Sequence, residues 1–448
     1  MFMDRQPNIL LLFPDEHRGD WIPGKEDIPV KMPNLANLMK QGVHFTRAVT
    51  PSPLCAPARA CLAAGCDYFS CQVPNNGFNY LLSKPTFYQK LREAGYQVGG
   101  VGKFDLHKPT LYWGADGWID DLGTLGFTTA VDNAGKIDAV VSAKEGPKDP
   151  YMTCLQKEGW MEYHIDDLLN RKLKTHPTKL PDELYCDNWL TKNGIDMLKQ
   201  FDKERPWFLQ VNFTGPHPPF DVTKEMKERW ETVRFPEPIC STEDPEEAQA
   251  IRQNYAAMLE NIDQRIGDIL SYLEETGQRD HTLIVYASDH GEMLGDFDRH
   301  GKGRPEIPSI HIPFIIAGPG VEKGIVSEAL VELQDLAATF CDYAGVADAE
   351  FEDSISLREV LCDSSKKGKR KIQKSALFKT KDKTDRTALE SGWICIQDET
   401  YKLVEWNKEE YRYYYRQDDQ VILTGEEMEK AKQALQPLFI SQYGQREC

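Results

Sequence analysis

Charged side chains and histidines stand directly after several short apolar runs of this chain. The runs cover residues 8–13, 98–101, 207–213 and 282–287, and the polar groups after them are Asp15 and Glu16, then Lys103, Asp105 and His107, then His217, then Asp289 and His290. In open α/β sheets ligands bind beyond the carboxyl ends of the strands, so we expect these groups to converge. Aspartate and histidine ligands suit a divalent cation, and lysines suit an anionic substrate. The set fits hydrolysis of a phosphoryl or sulfuryl ester.

The apolar runs predict the sheet that must position these groups. They are bounded by turn residues and alternate with helical patterns, and a further run covers residues 313–317. This pattern is typical of a parallel sheet covered by helices on both faces. The clearest helix spans residues 245–275, and another is expected over residues 333–343, ended by Gly345. The pattern therefore predicts the α/β class.

The chain is long enough for a second structural unit. Its 448 residues exceed the roughly 250 to 300 residues at which a single core stops growing. A lysine-rich connector at residues 364–374 marks the expected boundary. We predict a large domain over residues 1–363 and a small α+β domain over residues 364–448, with antiparallel strands near 375–378, 393–397, 402–406 and 411–415 and a helix near 426–438.

The composition argues against several partners. Lys and Arg number 53 against 71 Asp and Glu, a formal charge of -18, so we expect neither nucleic acid nor a membrane as a partner. The apolar run at residues 9–13 is far too short for a membrane span or a secretion signal. We therefore expect a cytoplasmic protein with reduced cysteines, although a chain trimmed of its signal peptide would look the same.

Two separated motifs carry a family resemblance. Residues 55–59 read Cys-Ala-Pro-Ala-Arg and lead into a helical pattern that ends at Gly65, and residues 288–296 read Ser-Asp-His-Gly-Glu-Met-Leu-Gly-Asp. Both resemble blocks of the formylglycine-dependent, cysteine-type sulfatases of the alkaline phosphatase superfamily. Weaker matches extend the resemblance over residues 7–361. It implies an alkaline-phosphatase-like fold, α/β with a large mixed, mostly parallel sheet between helices and a smaller C-terminal α+β domain. It also implies an enzyme that hydrolyses sulfate esters.

The resemblance also implies a cofactor and a nucleophile. Asp15, Cys55, Asp289 and His290 stand where the family binds a divalent metal, which we expect to be Ca²⁺, with Mg²⁺ or Mn²⁺ as alternatives. In that family a formylglycine-generating enzyme oxidises the cysteine after translation, and the hydrated aldehyde supplies a geminal diol as the nucleophile. Cys55 matches that residue, so the maturation enzyme is an expected partner.

The remaining catalytic roles follow by the same resemblance. Arg59 would hold the diol that forms from Cys55, and Lys103 and Lys302 would bind the sulfate oxygens as charge develops. His217 would protonate or position the leaving oxygen. The expected substrate is a small-molecule or saccharide sulfate ester, derived from a sugar, an aryl alcohol or a small alcohol.

Two positions depart from the family pattern. The family commonly has a histidine two residues after the lysine, but here Asp105 stands there and His107 follows, so either of them could replace that base. Glu16 stands where a second metal-binding aspartate is usual, and it is kept as a possible ligand only.

Two other functions stay open at this stage. A phosphonate monoester or phosphodiester hydrolase shares this fold, this metal site and even the modified cysteine. A non-catalytic binding protein would retain Cys55 as an unmodified thiol.

Overall fold

The computed structural model describes residues 6–346, 349–382, 384–407 and 410–443. Its strands are Asn8–Asp15 (β1), Gly42–Phe45 (β2), Ala48–Val49 (β3), Gln97–Gly102 (β4), Thr129–Asp132 (β5), Trp207–Pro216 (β6), Thr282–Ala287 (β7), Phe314–Ala317 (β8), Ile325–Ser327 (β9), Val331–Glu332 (β10), Gln373–Thr380 (β11), Leu389–Gln397 (β12), Tyr401–Trp406 (β13) and Glu410–Tyr415 (β14). Each apolar run of the sequence therefore became a strand.

The helices are Pro33–Gln41 (α1), Cys55–Ala64 (α2), Tyr68–Cys71 (α3), Phe87–Glu93 (α4), Asp120–Leu125 (α5), Ile137–Ser142 (α6), Pro150–Lys157 (α7), Met161–Arg171 (α8), Cys186–Gln200 (α9), Lys224–Glu228 (α10), Pro245–Glu275 (α11), Ile307–Ile310 (α12), Asp335–Tyr343 (α13), Arg358–Cys362 (α14) and Gly425–Tyr443 (α15). The predicted helix over 245–275 is confirmed, and α13 begins two residues later than predicted. Within the described residues, no helix is long and apolar enough to cross a bilayer.

The central sheet has eight strands among the described residues, in the order β5-β4-β6-β1-β7-β8-β2-β9. The strands β5, β4, β6, β1 and β7 run parallel to one another. The predicted strand at 313–317 is confirmed as β8, but the parallel direction expected for it is wrong, because β8 runs antiparallel to both β7 and β2. An apolar run shows that a strand is buried and leaves its direction open. The fold class, a mixed and mostly parallel sheet between helices, is confirmed.

The sheet is covered on both faces, as its buried strands require. All eight residues of β1 are buried. Ile9 and Leu11 face a core shared with α2, α4 and α13, whereas Leu10 and Leu12 face a core shared with α1, α9 and α11. This alternation places each central strand between two helical layers and holds its carboxyl end fixed.

The C-terminal part forms a second, antiparallel sheet in the order β11-β12-β13-β14. One face packs against α15, for example through Ile396 and Leu403. The other face, which includes Trp393, packs against Ile310 at the end of α12. The predicted antiparallel sheet and helix are confirmed, while the division into domains at residue 363 stays a prediction.

Candidate active site

The polar groups lie at the carboxyl ends of four adjacent strands. Asp15 is the last residue of β1, Lys103 follows β4, His217 follows β6, and Asp289 stands two residues after β7. These strands are neighbours in the order β4-β6-β1-β7. The convergence expected from the sequence therefore follows from the parallel arrangement of these strands.

Four side chains form a buried group, which we call the ligand cluster: Asp15, Cys55, Asp289 and His290. One potential ligand atom from each lies within 4.8 Å of the others. The Cys55 Sγ is 3.3 Å from His290 Nε2 and 3.7 Å from Asp15 Oδ1. His290 Nδ1 lies 3.0 Å from the carbonyl oxygen of Gly291, which suits a tautomer that leaves Nε2 free as a ligand.

Cys55 owes its position to the start of α2. It is the first residue of that helix, and it is 1% exposed. The helix lacks a side-chain cap at Leu54; instead, the amide of Ala56 donates to Asn76 Oδ1 at 3.0 Å. The helix ends at Gly65 in the left-handed region, at φ 62°. Because Cys55 is both the first residue of α2 and a member of the ligand cluster, the positive dipole end of this helix lies at the cluster.

Arg59 lies one turn along α2 and connects this helix to the strand ends. Its Nε donates to Asp289 Oδ2 at 2.9 Å, and Nη1 donates to the carbonyl oxygen of Lys103 and to Asn212 Oδ1. The side chain is 2% exposed. Its Nη2 also lies 3.8 Å from Asp15 Oδ1, so Arg59 lies at the site and contacts two carboxylates of the ligand cluster.

Lys103 contacts the ligand cluster directly, and Asp105 contacts Lys103. The Lys103 Nζ lies 2.5 Å from Asp15 Oδ2 and 3.3 Å from Asp105 Oδ2. His107 instead turns toward Asp132, with 3.5 Å between His107 Nδ1 and Asp132 Oδ2. Asp105 is therefore the one of the two candidate bases that contacts the predicted sulfate-binding lysine.

A second group lies beside the ligand cluster, which we call the rim group: Glu16, His217 and Lys302. The Glu16 Oε2 accepts from Lys302 Nζ at 2.5 Å and lies 3.3 Å from His217 Nε2. Glu16 has φ 72°, and its amide donates to Asp289 Oδ1 at 3.0 Å. Glu16, Asp15 and His217 could also hold an ion. Whether Glu16 binds a metal therefore stays a prediction.

Burial and charge set the protonation of these groups. Burial alone would raise the pKa of Asp15, but the cations around it, Lys103 first, hold that pKa well below its usual range. Burial raises the pKa of Glu16 well above its usual range, because the Lys302 ammonium offsets only part of the cost. Burial, reinforced by the charge of Lys302, holds the pKa of His217 well below its usual range.

The sequence analysis missed three side chains at the site. Asn76 accepts from the α2 amide, Asn212 accepts from Arg59, and the Lys108 Nζ lies 3.0 Å from Asp105 Oδ2. Lys108 stands five residues after Lys103, so the lysine pair was a visible signal. The asparagines gave no such signal. Asn76 lies in an Asn-Asn-Gly run, where asparagines are usually structural, and Asn212 lies inside the buried strand β6.

The sheet, with carboxylates, a histidine and a cysteine at its carboxyl edge and cations beside them, defines a hydrolase of the alkaline phosphatase superfamily. The Sulfatase family matches residues 7–346. The chain belongs to that family, and it is accordingly a sulfuric ester hydrolase.

Individual relatives agree with this assignment. The chain is 27% identical to an arylsulfatase of Clostridium perfringens, over 80% of this chain and 78% of the relative. It is also 27% identical to a choline-sulfatase of Rhizobium meliloti, over 79% of this chain and 71% of the relative. The solved structure of a phosphonate monoester hydrolase of Agrobacterium radiobacter aligns with a TM-score of 0.80 at 23% identity, covering 97% of this chain and 94% of that one. This likeness shows a shared fold.

Proposed function

We propose that the enzyme releases inorganic sulfate from a sugar, aryl or small alcohol sulfate, using a formylglycine made from Cys55. The observation that carries this proposal is the position of Cys55. Its Sγ faces His290 and Asp15 at 3.3 and 3.7 Å, at the start of a helix, with Arg59 one turn away. A side chain at that position can present an oxygen nucleophile to an ester held among cations.

The ligand cluster fits a divalent cation, and we propose Ca²⁺, with Mg²⁺ and Mn²⁺ as alternatives. Asp15, Asp289 and His290 offer two carboxylates and an imidazole within 4.8 Å of the Cys55 side chain. A cation bound there would lower the pKa of a nearby hydroxyl and withdraw charge from the sulfuryl group. Because Arg59 and Lys103 already balance the two carboxylates, its charge would favour an anionic ester.

The charged side chains around the ligand cluster would each have a separate role in catalysis. Arg59, fixed by Asp289, would orient the nucleophilic group on Cys55. Lys103 and Lys302 would bind the sulfate oxygens from two sides as charge develops. Asp105, whose pKa is held below its usual range by Lys103 and then Lys108 despite burial, would be the proton acceptor that replaces the family's histidine.

His217 would act on the leaving oxygen. Its imidazole is 19% exposed and lies at the open side of the site, between the buried ligand cluster and solvent. Its Nδ1 contacts the carbonyl oxygen of Pro218, so Nε2 is the nitrogen that faces Glu16 and the substrate. Because Nδ1 faces a carbonyl oxygen and the pKa of His217 is held low, Nε2 carries no proton in the free enzyme. The negative charge of a bound sulfate ester would raise that pKa, and Nε2 would then take a proton from solvent and pass it to an alcohol that leaves on this side.

The direct test is release of inorganic sulfate from a panel of aryl, sugar and small alcohol sulfates, beside phosphonate and phosphodiester esters. The enzyme is co-expressed with a formylglycine-generating enzyme, and the mass of its Cys55 peptide is measured. We expect conversion of Cys55 and sulfate release. Faster cleavage of phosphonates or phosphodiesters would show that the enzyme is a phosphonate or phosphodiester hydrolase. An unmodified Cys55 thiol with no turnover of any ester would favour a non-catalytic binding protein.

A further inference from the structure

A short segment after β5 lies between two predicted catalytic side chains. The amide of Asn133 donates to the carbonyl oxygen of Gly102 at 3.0 Å, so the segment follows the end of β4. A Cβ built on Gly135 would lie only 2.8 Å from the Cδ of Lys103. Gly135 also has φ 76°, a conformation that other residues rarely adopt. The backbone at Gly135 therefore lies directly against the alkyl chain of Lys103.

The next residue, Lys136, contacts the loop that carries His217. Its Nζ lies 2.7 Å from Asp221 Oδ1 and 3.1 Å from the carbonyl oxygen of Pro219. Lys136 is 7% exposed and Asp221 is 4% exposed. A buried ammonium bound by a carboxylate and a carbonyl is costly to disturb, because removing one partner leaves the other without compensation. These contacts therefore hold the loop in place at Pro219 and Asp221, two and four residues after His217.

We propose that Lys136 is a positioning residue for His217, and that Gly135 and Lys136 together set the separation between Lys103 and His217. The inference rests on the proposed function. Neither residue touches the ligand cluster in the described contacts, so the effect is on geometry. Gly135 lies against Lys103, and Lys136 contacts the loop that carries His217. The segment therefore connects the side chain proposed to bind sulfate with the side chain proposed to act on the leaving oxygen.

The chemistry gives this role a specific signature. A poorly acidic phenol or alcohol needs a proton as it leaves, whereas nitrophenol leaves readily as an anion. Displacing His217 should therefore slow esters of poorly acidic alcohols more than nitrophenyl esters. A general loss of structure would slow both alike.

The test uses a series of aryl sulfates from 4-nitrophenyl to 4-methylphenyl with the mature enzyme. Lys136→Met is compared with Lys136→Arg, and His217→Asn serves as the reference. We expect Lys136→Met to lower kcat relative to wild type on both esters, with KM little changed. The fold decrease should be at least about ten times larger for the 4-methylphenyl ester than for the 4-nitrophenyl ester. Lys136→Arg should recover most of that difference, and Asp221→Asn combined with Lys136→Met should add little.

Two results would overturn the inference. One is an equal loss on every ester in Lys136→Met, in an enzyme whose His217→Asn variant does depend on the leaving group. The other is a crystal structure of Lys136→Met in which the His217 imidazole keeps its 3.3 Å contact with Glu16. If wild type releases no sulfate from any ester, the proposed function fails, and the crystal structure alone decides whether Lys136 positions His217.

Discussion

The ligand cluster and the rim group lie side by side, but they are held in different ways. Asp15, Cys55 and Asp289 come from a strand, a helix start and a strand end, and each is at most 1% exposed. His217 and Lys302 come from loops and keep side-chain exposures of 19% and 14%. Regular elements buried on both faces hold their side chains more firmly than loops do.

This difference suggests two separate roles, catalysis by the ligand cluster and discrimination between esters by part of the rim group. The positions of the ligand cluster match the family motifs, whereas Glu16 and Asp105 depart from the family pattern. Changes in the ligand cluster should therefore abolish turnover of every ester. Changes at His217 in the rim group should depend on the ester, because His217 is proposed to act on the leaving oxygen, which belongs to the part of the substrate that varies.

The largest effect is expected at Cys55. Cys55→Ala removes the proposed nucleophile and should lower kcat by at least about 10⁴-fold on every ester of the panel. Cys61→Ala is a matched control, since Cys61 is a buried cysteine on the same helix, and it should remain within a few-fold of wild type. Turnover by Cys55→Ala at a substantial fraction of the wild-type rate would refute the nucleophile assignment. Sulfate release and the melting temperature of each variant give the answer.

Asp289 should come second. Asp289→Asn removes a carboxylate that accepts from Arg59 and from the amide of Glu16, and kcat should fall about 10³-fold. Calcium added to chelator-treated wild type should raise its melting temperature, since a ligand at 100 times its Kd stabilises a protein by about 2.7 kcal/mol. The variant should lose that response, whereas Asp196→Asn, at an exposed salt bridge, should keep it. An unchanged calcium response in Asp289→Asn would place the ion elsewhere.

Asp105 and His107 provide a direct choice between two candidate bases. Asp105→Asn should lower kcat about 10²-fold, because Asp105 contacts Lys103 beside the nucleophile. His107→Asn should change kcat little, since His107 turns toward Asp132. Steady-state kinetics on one ester, with melting temperatures to detect unfolding, distinguish the two. The reverse ranking would assign the base to His107.

The Glu16–Lys302 pair tests the rim group. Lys302→Met removes the ammonium beside the buried Glu16 carboxyl, whose pKa burial already holds well above its usual range. The carboxyl then takes up a proton and loses its hydrogen-bond donor, and the free energy of unfolding should fall by about 2 kcal/mol. It should also raise KM, because Lys302 is proposed to bind the sulfate oxygens. Glu16→Gln added to Lys302→Met should restore much of the stability and little of the activity. If stability and activity recover together, the two residues act on folding alone.

The sequence predicted the parts of this molecule that depend on local patterns. The buried run of β1 and the apolar stripe of α11 were visible because each has a characteristic period. The direction of β8 was not visible, and neither was the packing of Trp393 against the Lys302 loop, since both depend on long-range contacts. The ligand cluster was found by motif and by its position after strands, whereas Lys136 was missed because a lysine outside any motif resembles an exposed charge.

The smallest effect is expected where the C-terminal sheet supports the rim. Trp393 Nε1 donates to the carbonyl oxygen of Gly303 at 3.1 Å, next to Lys302. Trp393→Phe keeps most of the ring and removes this hydrogen bond, which should cost about 1 kcal/mol of stability. Because the contact supports only the loop that carries Lys302, KM should rise a few-fold while kcat stays near wild type. A fall in kcat with unchanged KM would mean that the C-terminal sheet acts on the ligand cluster, and the contrast between the two halves of the site would then fail.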